Sequence, residues 1–127
     1  MKNLSLTRID PALDLMAEFG KLTSHTTRHV NQMRQDAIFT DGVLPARVKA
    51  LAAVLWSISA RCEPCIKFYV QRAAKLGVAE SELGEMLAVA STMGGCVGEM
   101  WALKAFKAYH DFAGDLGAPA SELSCCQ

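Results

Sequence analysis

Two cysteines three positions apart, Cys62 and Cys65 in the stretch ARCEPCIKFY, bracket Glu63 and Pro64. Thiols at this spacing can hold a metal, close a disulfide or carry out redox chemistry. Proline is tolerated in the first turn of a helix and breaks its interior. Pro64 therefore marks a helix start, and Gly77, a common residue just past a helix end, marks where that helix stops. The pair lies at a helix N-terminus. Thiolate is the reactive form of cysteine, and the free N–H groups at such a terminus stabilise it, drawing the pKa from about 8.5 toward neutrality. Once one sulfur is oxidised to a sulfenic acid, the other can displace the hydroxyl and close a disulfide within one turn. Arg61, Glu63 and Pro64 make the surroundings polar and bent. A pair of inert buried thiols is the simpler alternative.

Metal binding is the competing chemistry. Zinc wants four ligands, commonly a second C-x-x-C or a histidine pair at defined spacing from the cysteines, and neither follows Cys62 and Cys65. Cys125 and Cys126 are adjacent, an awkward arrangement for tetrahedral ligation. They suit exchange with another disulfide or the grip of a soft metal or metalloid, unless they are a chance pair on a tail. His25 and His29, at i and i+4, share a helix face and lack a third ligand nearby, so a wet face explains them too. His110 sits near the end of the last helix, where the dipole accounts for it. No cofactor and no resident metal is expected.

The elements that must position Cys62 and Cys65 are helical. Apolar residues recur at helical spacing along almost the whole chain, and no stretch alternates as a strand does, so the expected class is all-α. Asp10 and Pro11 form a cap and first turn for a short helix through Leu13, Met16 and Phe19, which Gly20 weakens. Leu22, Thr26, Val30, Met33 and Ala37 predict a helix over 22–37, although TSHTT has poor propensity. TDG (40–42) is a turn. Pro45 opens a helix to about Arg61 with Leu51, Val54, Leu55 and Ile58 as its core stripe. The redox helix follows. A helix over 80–93 buries Leu83, Met86, Leu87 and Ala90 and ends at GG (94–95). The last, over 96–113, is apolar except for Lys104, Lys107 and Asp111, and needs a partner. A thioredoxin domain is disfavoured, because its motif follows a strand and here a helix precedes the cysteines.

The whole chain sets bounds on these readings. Its 127 residues suit one domain, expected over 1–115, with a tail over 116–127. Net charge is zero, with 20% charged and 51% hydrophobic residues. That excludes disorder and gives no field for nucleic acid or an anionic membrane. The longest uncharged apolar run, 50–60, has 11 residues, against roughly 20 for a bilayer-spanning helix. MKNLSLTRIDPALD does not read as a signal peptide, so a cytoplasmic setting with reduced thiols is expected. Low net charge with many apolar residues points to an oligomer.

Residues 49–95, from KALAAVLWSISARCEPC through AAKLGV to STMGG, together with MWALKAFKAYHDF, resemble the carboxymuconolactone decarboxylase and alkylhydroperoxidase D-like (AhpD-like) family. The likeness covers about three quarters of the chain. It implies an all-helical fold of about six helices with a central antiparallel two-helix hairpin, assembled as trimers or hexamers. It further implies thiol-dependent peroxide reduction for members with C-x-x-C and lactone decarboxylation for a branch without the pair. Cys62 and Cys65 put this chain with the first. The family pattern also implies that Cys65 meets the peroxide and Cys62 resolves it, whereas helix-terminus electrostatics favour Cys62.

Two departures stand out. Where the redox branch usually carries a histidine four residues after the second cysteine and a glutamate twelve before the first, this chain has Tyr69 and Ala50. Alanine carries no proton. A phenol with a pKa near 10 is a poor base at neutral pH, though it can donate a hydrogen bond to a sulfur one turn away. The best substitute is GGCVGEMW, where Cys96 and Glu99 share a helix face at three-residue spacing. Glu99 is the one acid in an apolar stretch and is a candidate acid or base, with Cys96 a third redox thiol. Alternatively, Glu99 faces solvent or pairs with a lysine, and Cys96 is a small core residue.

The expected function is therefore a homo-oligomeric thiol oxidoreductase with Cys62, Cys65, Tyr69, Cys96 and Glu99 as its candidate catalytic residues. It would reduce a hydroperoxide or a partner disulfide at the expense of an external thiol reductant. A soft-metal-binding thiol protein and a lactone decarboxylase are the alternatives.

Overall fold

The computed structural model describes residues 9–115, and every described element is a helix. Cys125 and Cys126 lie outside the described residues. The chain clusters into two compact units that divide after Ala46.

In the first unit a 3₁₀ turn, Pro11–Leu15, leads into α1 (Met16–Leu22), and α2 spans Thr26–Ala37. Asp10 caps the turn, its Oδ1 accepting the Ala12 N–H at 2.9 Å. Gly20 does not stop α1, which runs on to Leu22. The helix predicted over 22–37 is instead broken at its start. The Thr23 hydroxyl donates to the Phe19 carbonyl at 2.9 Å, competing for a helical acceptor, and Ser24 and His25 adopt left-handed φ of 55° and 64°. α1 packs on α2 and on the 3₁₀ turn.

The second unit holds most of α3 (Ala46–Ala60), α4 (Glu63–Lys75) and α5 (Glu80–Asp115). Its core collects Ala50, Leu51, Val54, Ser57 and Ile58 from α3 and Ile66, Val70 and Ala73 from α4. Val78 precedes α5, which adds Leu83, Leu87, Ala90, Ala102, Ala105 and Tyr109. Leu55 and Met86, predicted to be core, are half-buried. Full burial of an aliphatic side chain such as Ile66 or Leu83 contributes about 1.5–3 kcal/mol. Ser57, buried among them, is satisfied by donating to the Ala53 carbonyl at 2.8 Å.

α5 breaks at Gly95, whose φ of 61° and ψ of −145° are non-helical. Glycine alone adopts that backbone readily. Gly94 still belongs to the first arm, so the predicted stop at GG falls on the second glycine. Glu80 Oε2 and His110 Nε2 nevertheless meet at 2.9 Å across the break. Tyr109 donates its hydroxyl to the Val78 carbonyl at 3.0 Å. The two arms of α5, 80–94 and 96–115, thus double back on each other. By length and apolarity alone α5 is able to cross a bilayer, and the reversal at Gly95 cuts it into two shorter arms.

α3 and α5 are joined by an ion pair between Arg47 and Glu82. Glu82 also reaches back one turn to accept the Ala79 N–H at 2.9 Å, one half of a capping box. The Arg47 guanidinium first, and the Ala79 N–H second, hold the Glu82 carboxyl below the usual glutamate range.

Candidate functional site

Two residues link α3 to α4, and they form a helix stop and a helix start at once. The Arg61 N–H donates to the Ile58 carbonyl at 3.0 Å and the Cys62 N–H to the Ser57 carbonyl at 3.1 Å. This pair of bonds is a Schellman closure, which places its first residue in the left-handed region. Arg61 has φ 55°. For a residue with a Cβ that conformation costs about 1–2 kcal/mol. The same closure recurs after α4, where the Gly77 N–H donates to Ala74 and the Val78 N–H to Ala73, each at 3.0 Å. There φ is 92° and the residue is glycine. One chain builds one motif twice, with glycine at one copy and arginine beside the cysteines at the other.

Cys62 then turns to extended backbone, φ −102° and ψ 98°, and caps α4. The Cys65 N–H donates to Cys62 Sγ at 3.4 Å, and the Ile66 N–H donates to the Cys62 carbonyl at 2.9 Å. Pro64, in the first turn, has no N–H to leave unsatisfied there. Cys62 and Cys65 form a disulfide with Cα atoms 5.2 Å apart, within the range a disulfide spans. Both are half-buried, so the pair is reachable from solvent.

Charge gathers around the pair. Glu63, between the two cysteines, lies 3.6 Å from Lys67 Nζ and 4.0 Å from Lys104 Nζ on the second arm of α5. Lys104 also lies over the Trp101 ring, 5.3 Å from its centroid. These exposed pairs contribute about 1 kcal/mol or less to stability. Their interest is placement, because they gather two ammonium groups on the carboxylate of Glu63, the residue that follows Cys62. Arg61 is exposed, and among the described residues no carboxylate pairs with its guanidinium. Sequence reading found none of this cluster as a unit. The signal available was the shortness of the link between the helix ending near Arg61 and the start that Pro64 marks.

The remaining candidates fall elsewhere. Tyr69 is half-buried one turn beyond Cys65, its ring edge-on to Phe68 at 5.0 Å. Ala50 is fully buried on α3. Cys96 and Glu99 are both exposed on the second arm of α5, and Cys96 is a free thiol. His25 does not share a helix face with His29, since it precedes α2 in a left-handed turn. His110 is engaged by Glu80 and by the edge of Phe106. Among the described residues no three His, Cys, Asp or Glu side chains gather to hold a metal. An open concavity of about 630 Å³ lies within the first unit, lined in part by Met16, His25, Arg28, Asn31 and Gln32. Among its described lining residues there is no thiol or carboxylate, so these offer no redox pair.

Comparison with known proteins gives three matches. The model of the carboxymuconolactone decarboxylase family matches residues 25–108. An uncharacterised protein of Cupriavidus necator is 41% identical over 71 residues, which are 56% of this chain and 62% of that protein. The chain thus spans under two thirds of that relative's length. The crystal structure of apo-lpg0406, a carboxymuconolactone decarboxylase family protein from Legionella pneumophila, superposes with a TM-score of 0.77 at 28% identity, covering 87% of this chain and 99% of that one.

Proposed function

The chain belongs to the carboxymuconolactone decarboxylase family, and from that premise we propose that it is a thiol–disulfide oxidoreductase of the alkylhydroperoxidase D-like kind, cycling Cys62 and Cys65 between dithiol and disulfide. The observation that carries the reading is the placement of Cys62 as the cap of α4, with the Cys65 N–H on its sulfur and the two residues within bonding reach. An N–H aimed at that sulfur favours its anion.

In the cycle, a Cys65 thiolate attacks the outer oxygen of a hydroperoxide. The O–O bond breaks, the sulfur becomes a sulfenic acid, and the alkoxide leaves with a proton from solvent. The Cys62 thiolate then attacks the Cys65 sulfur, hydroxide departs as water, and the disulfide closes. Two thiols are oxidised, and the peroxide is reduced to an alcohol and water. An external thiol returns the pair to the dithiol. The same dithiol reduces a partner disulfide by exchange, with no peroxide. A stabilised Cys62 thiolate suits both the resolving role and that of leaving group when the disulfide reopens.

The family relay is not reproduced, because position 50 is a buried alanine and position 69 a tyrosine. Glu99 and Cys96, exposed together just past Gly95, are the proposed alternative acid–base and thiol groups. We take the doubled-back arms of α5 as the family's central hairpin. The apolar side chains they leave in solvent, Met93 at 83% exposure and Met100 at 58%, support a homo-oligomer. A reducing compartment such as the cytoplasm would supply the thiol.

Thiol titration before and after hydrogen peroxide tests the reading. Loss of two thiols, abolished by either Cys62→Ser or Cys65→Ser, is the expected result. Dimedone should label Cys65 in the Cys62→Ser variant. Thiols left unchanged by peroxide and by small disulfides alike would overturn it.

A further inference from the structure

We infer that the Cys62–Cys65 disulfide is opened by an anionic thiol, one carrying a carboxylate or sulfonate near its sulfur, drawn in by a cationic patch headed by Arg61. The inference rests on the oxidoreductase reading and names the class of its reductant.

The first observation is a comparison within the chain. Arg61 and Gly77 occupy the same position of two Schellman closures with matching hydrogen bonds. Both have left-handed φ, 55° and 92°. Glycine meets that requirement freely, and arginine meets it against steric resistance. A strained residue at a candidate site points to a use for its side chain. The backbone at Arg61 makes no demand that glycine would not satisfy, so the use lies in the guanidinium.

The second observation is charge. Arg61, Lys67 and Lys104 are cationic and Glu63 is anionic, on a chain whose net charge is zero. The carboxylate is shared by the two lysines, while Arg61 has no described carboxylate partner. The α4 N-terminus adds its positive end. The patch therefore keeps unspent positive charge beside a half-buried disulfide, with the guanidinium in solvent where an incoming ligand first meets it. A guanidinium pairs a carboxylate or sulfonate through two parallel hydrogen bonds.

The exchange balances without any further reactant. The reductant's thiolate attacks the Cys65 sulfur, the S–S bond breaks, and its electron pair leaves on Cys62 as thiolate. A second reductant thiolate attacks the mixed disulfide, releasing the oxidised reductant and the Cys65 thiolate. Two electrons pass from two thiols to the protein pair.

The test uses 3-mercaptopropionate, 2-mercaptoethanol and cysteamine as anionic, neutral and cationic probes on the oxidised full-length protein. Rates of disulfide opening, read by alkylation and mass spectrometry, are expressed per thiolate. Wild type should react at least threefold faster with the anionic than with the neutral probe at low salt, as expected for charges several ångströms apart in water. Half-molar salt should erase most of that preference. Arg61→Gly, which suits the backbone, should lower the ratio toward that set by the positive charge left on Lys67, Lys104 and Glu63 together, and Arg61→Lys should retain most of it. Equal ratios in wild type and Arg61→Gly would overturn the inference and leave the oxidoreductase reading intact. Failure of all three thiols to open the disulfide would overturn both.

Discussion

Glu80 and His110, thirty residues apart on the two arms of α5, touch at 2.9 Å. A straight helix of that length would hold them about 45 Å apart. The reversal at Gly95 brings them together, and a second glycine makes the turn close. A Cβ on Gly98 would stand 2.3 Å from the Ala90 carbonyl oxygen, against backbone that has no room to give.

Glycine substitutions on α5 should therefore diverge in sign. Gly95→Ala must enter a backbone region that a Cβ resists, and should cost about 1–3 kcal/mol. Gly98→Ala should cost about 1–3 kcal/mol through overpacking. Gly84→Ala, helical and exposed with nothing within 4 Å of its Cβ, should instead stabilise by about 0.4–1 kcal/mol. Urea denaturation of the three variants checks the order.

The two Schellman closures give a paired prediction. Arg61→Gly should raise stability by about 0.5–1 kcal/mol, the left-handed strain relieved less the extra entropy glycine loses. Gly77→Ala should lower it by about 1 kcal/mol. A destabilised Arg61→Gly variant would mean that the arginine makes contacts which outweigh its backbone strain.

How much of this was legible depends on how local each cause is. Pro64 and Gly77 bound α4 correctly because proline and glycine act through their own backbone, whatever the tertiary fold. The helix read over 22–37 failed at its first turn for a reason the residues also carry. Thr23 competes for the Phe19 carbonyl, and poor propensity in TSHTT leaves no margin against it. Arg61 at a left-handed position was hidden, because arginine advertises no such conformation. The Glu63–Lys104 approach and the fit of Gly98 on Ala90 join residues that spacing does not relate. The cysteine pair stood out because its chemistry and its spacing lie within one turn.

Stability should depend on pH through Glu82. Arg47 and the Ala79 N–H depress its folded-state pKa, so its contribution is present above the ordinary glutamate range and is lost as pH falls through the lowered value. Glu82→Gln should lower the Tm at neutral pH. The gap from wild type should close on acidification below the folded-state value. A gap of constant size down to strongly acidic pH would mean that the lost contacts, and not the charge, carry the effect.

The apolar side chains along α5 lead to the last prediction. Val89 and Met93 on the first arm and Val97, Met100 and Leu103 on the second are each between 46% and 83% exposed. Large apolar side chains gathered in this number on one element mark a surface suited to association. Burying a methionine contributes about 1.5–3 kcal/mol, and a symmetric interface counts each one twice. Light scattering should therefore find a multiple of the chain mass, and the double variant Met93→Lys with Met100→Lys should shift it toward the single chain. Far-ultraviolet circular dichroism should stay unchanged, because both side chains point to solvent within the chain. A wild-type protein that runs as a single chain at all concentrations would sink the oligomer reading, and a double variant that keeps its mass would move the interface to another face.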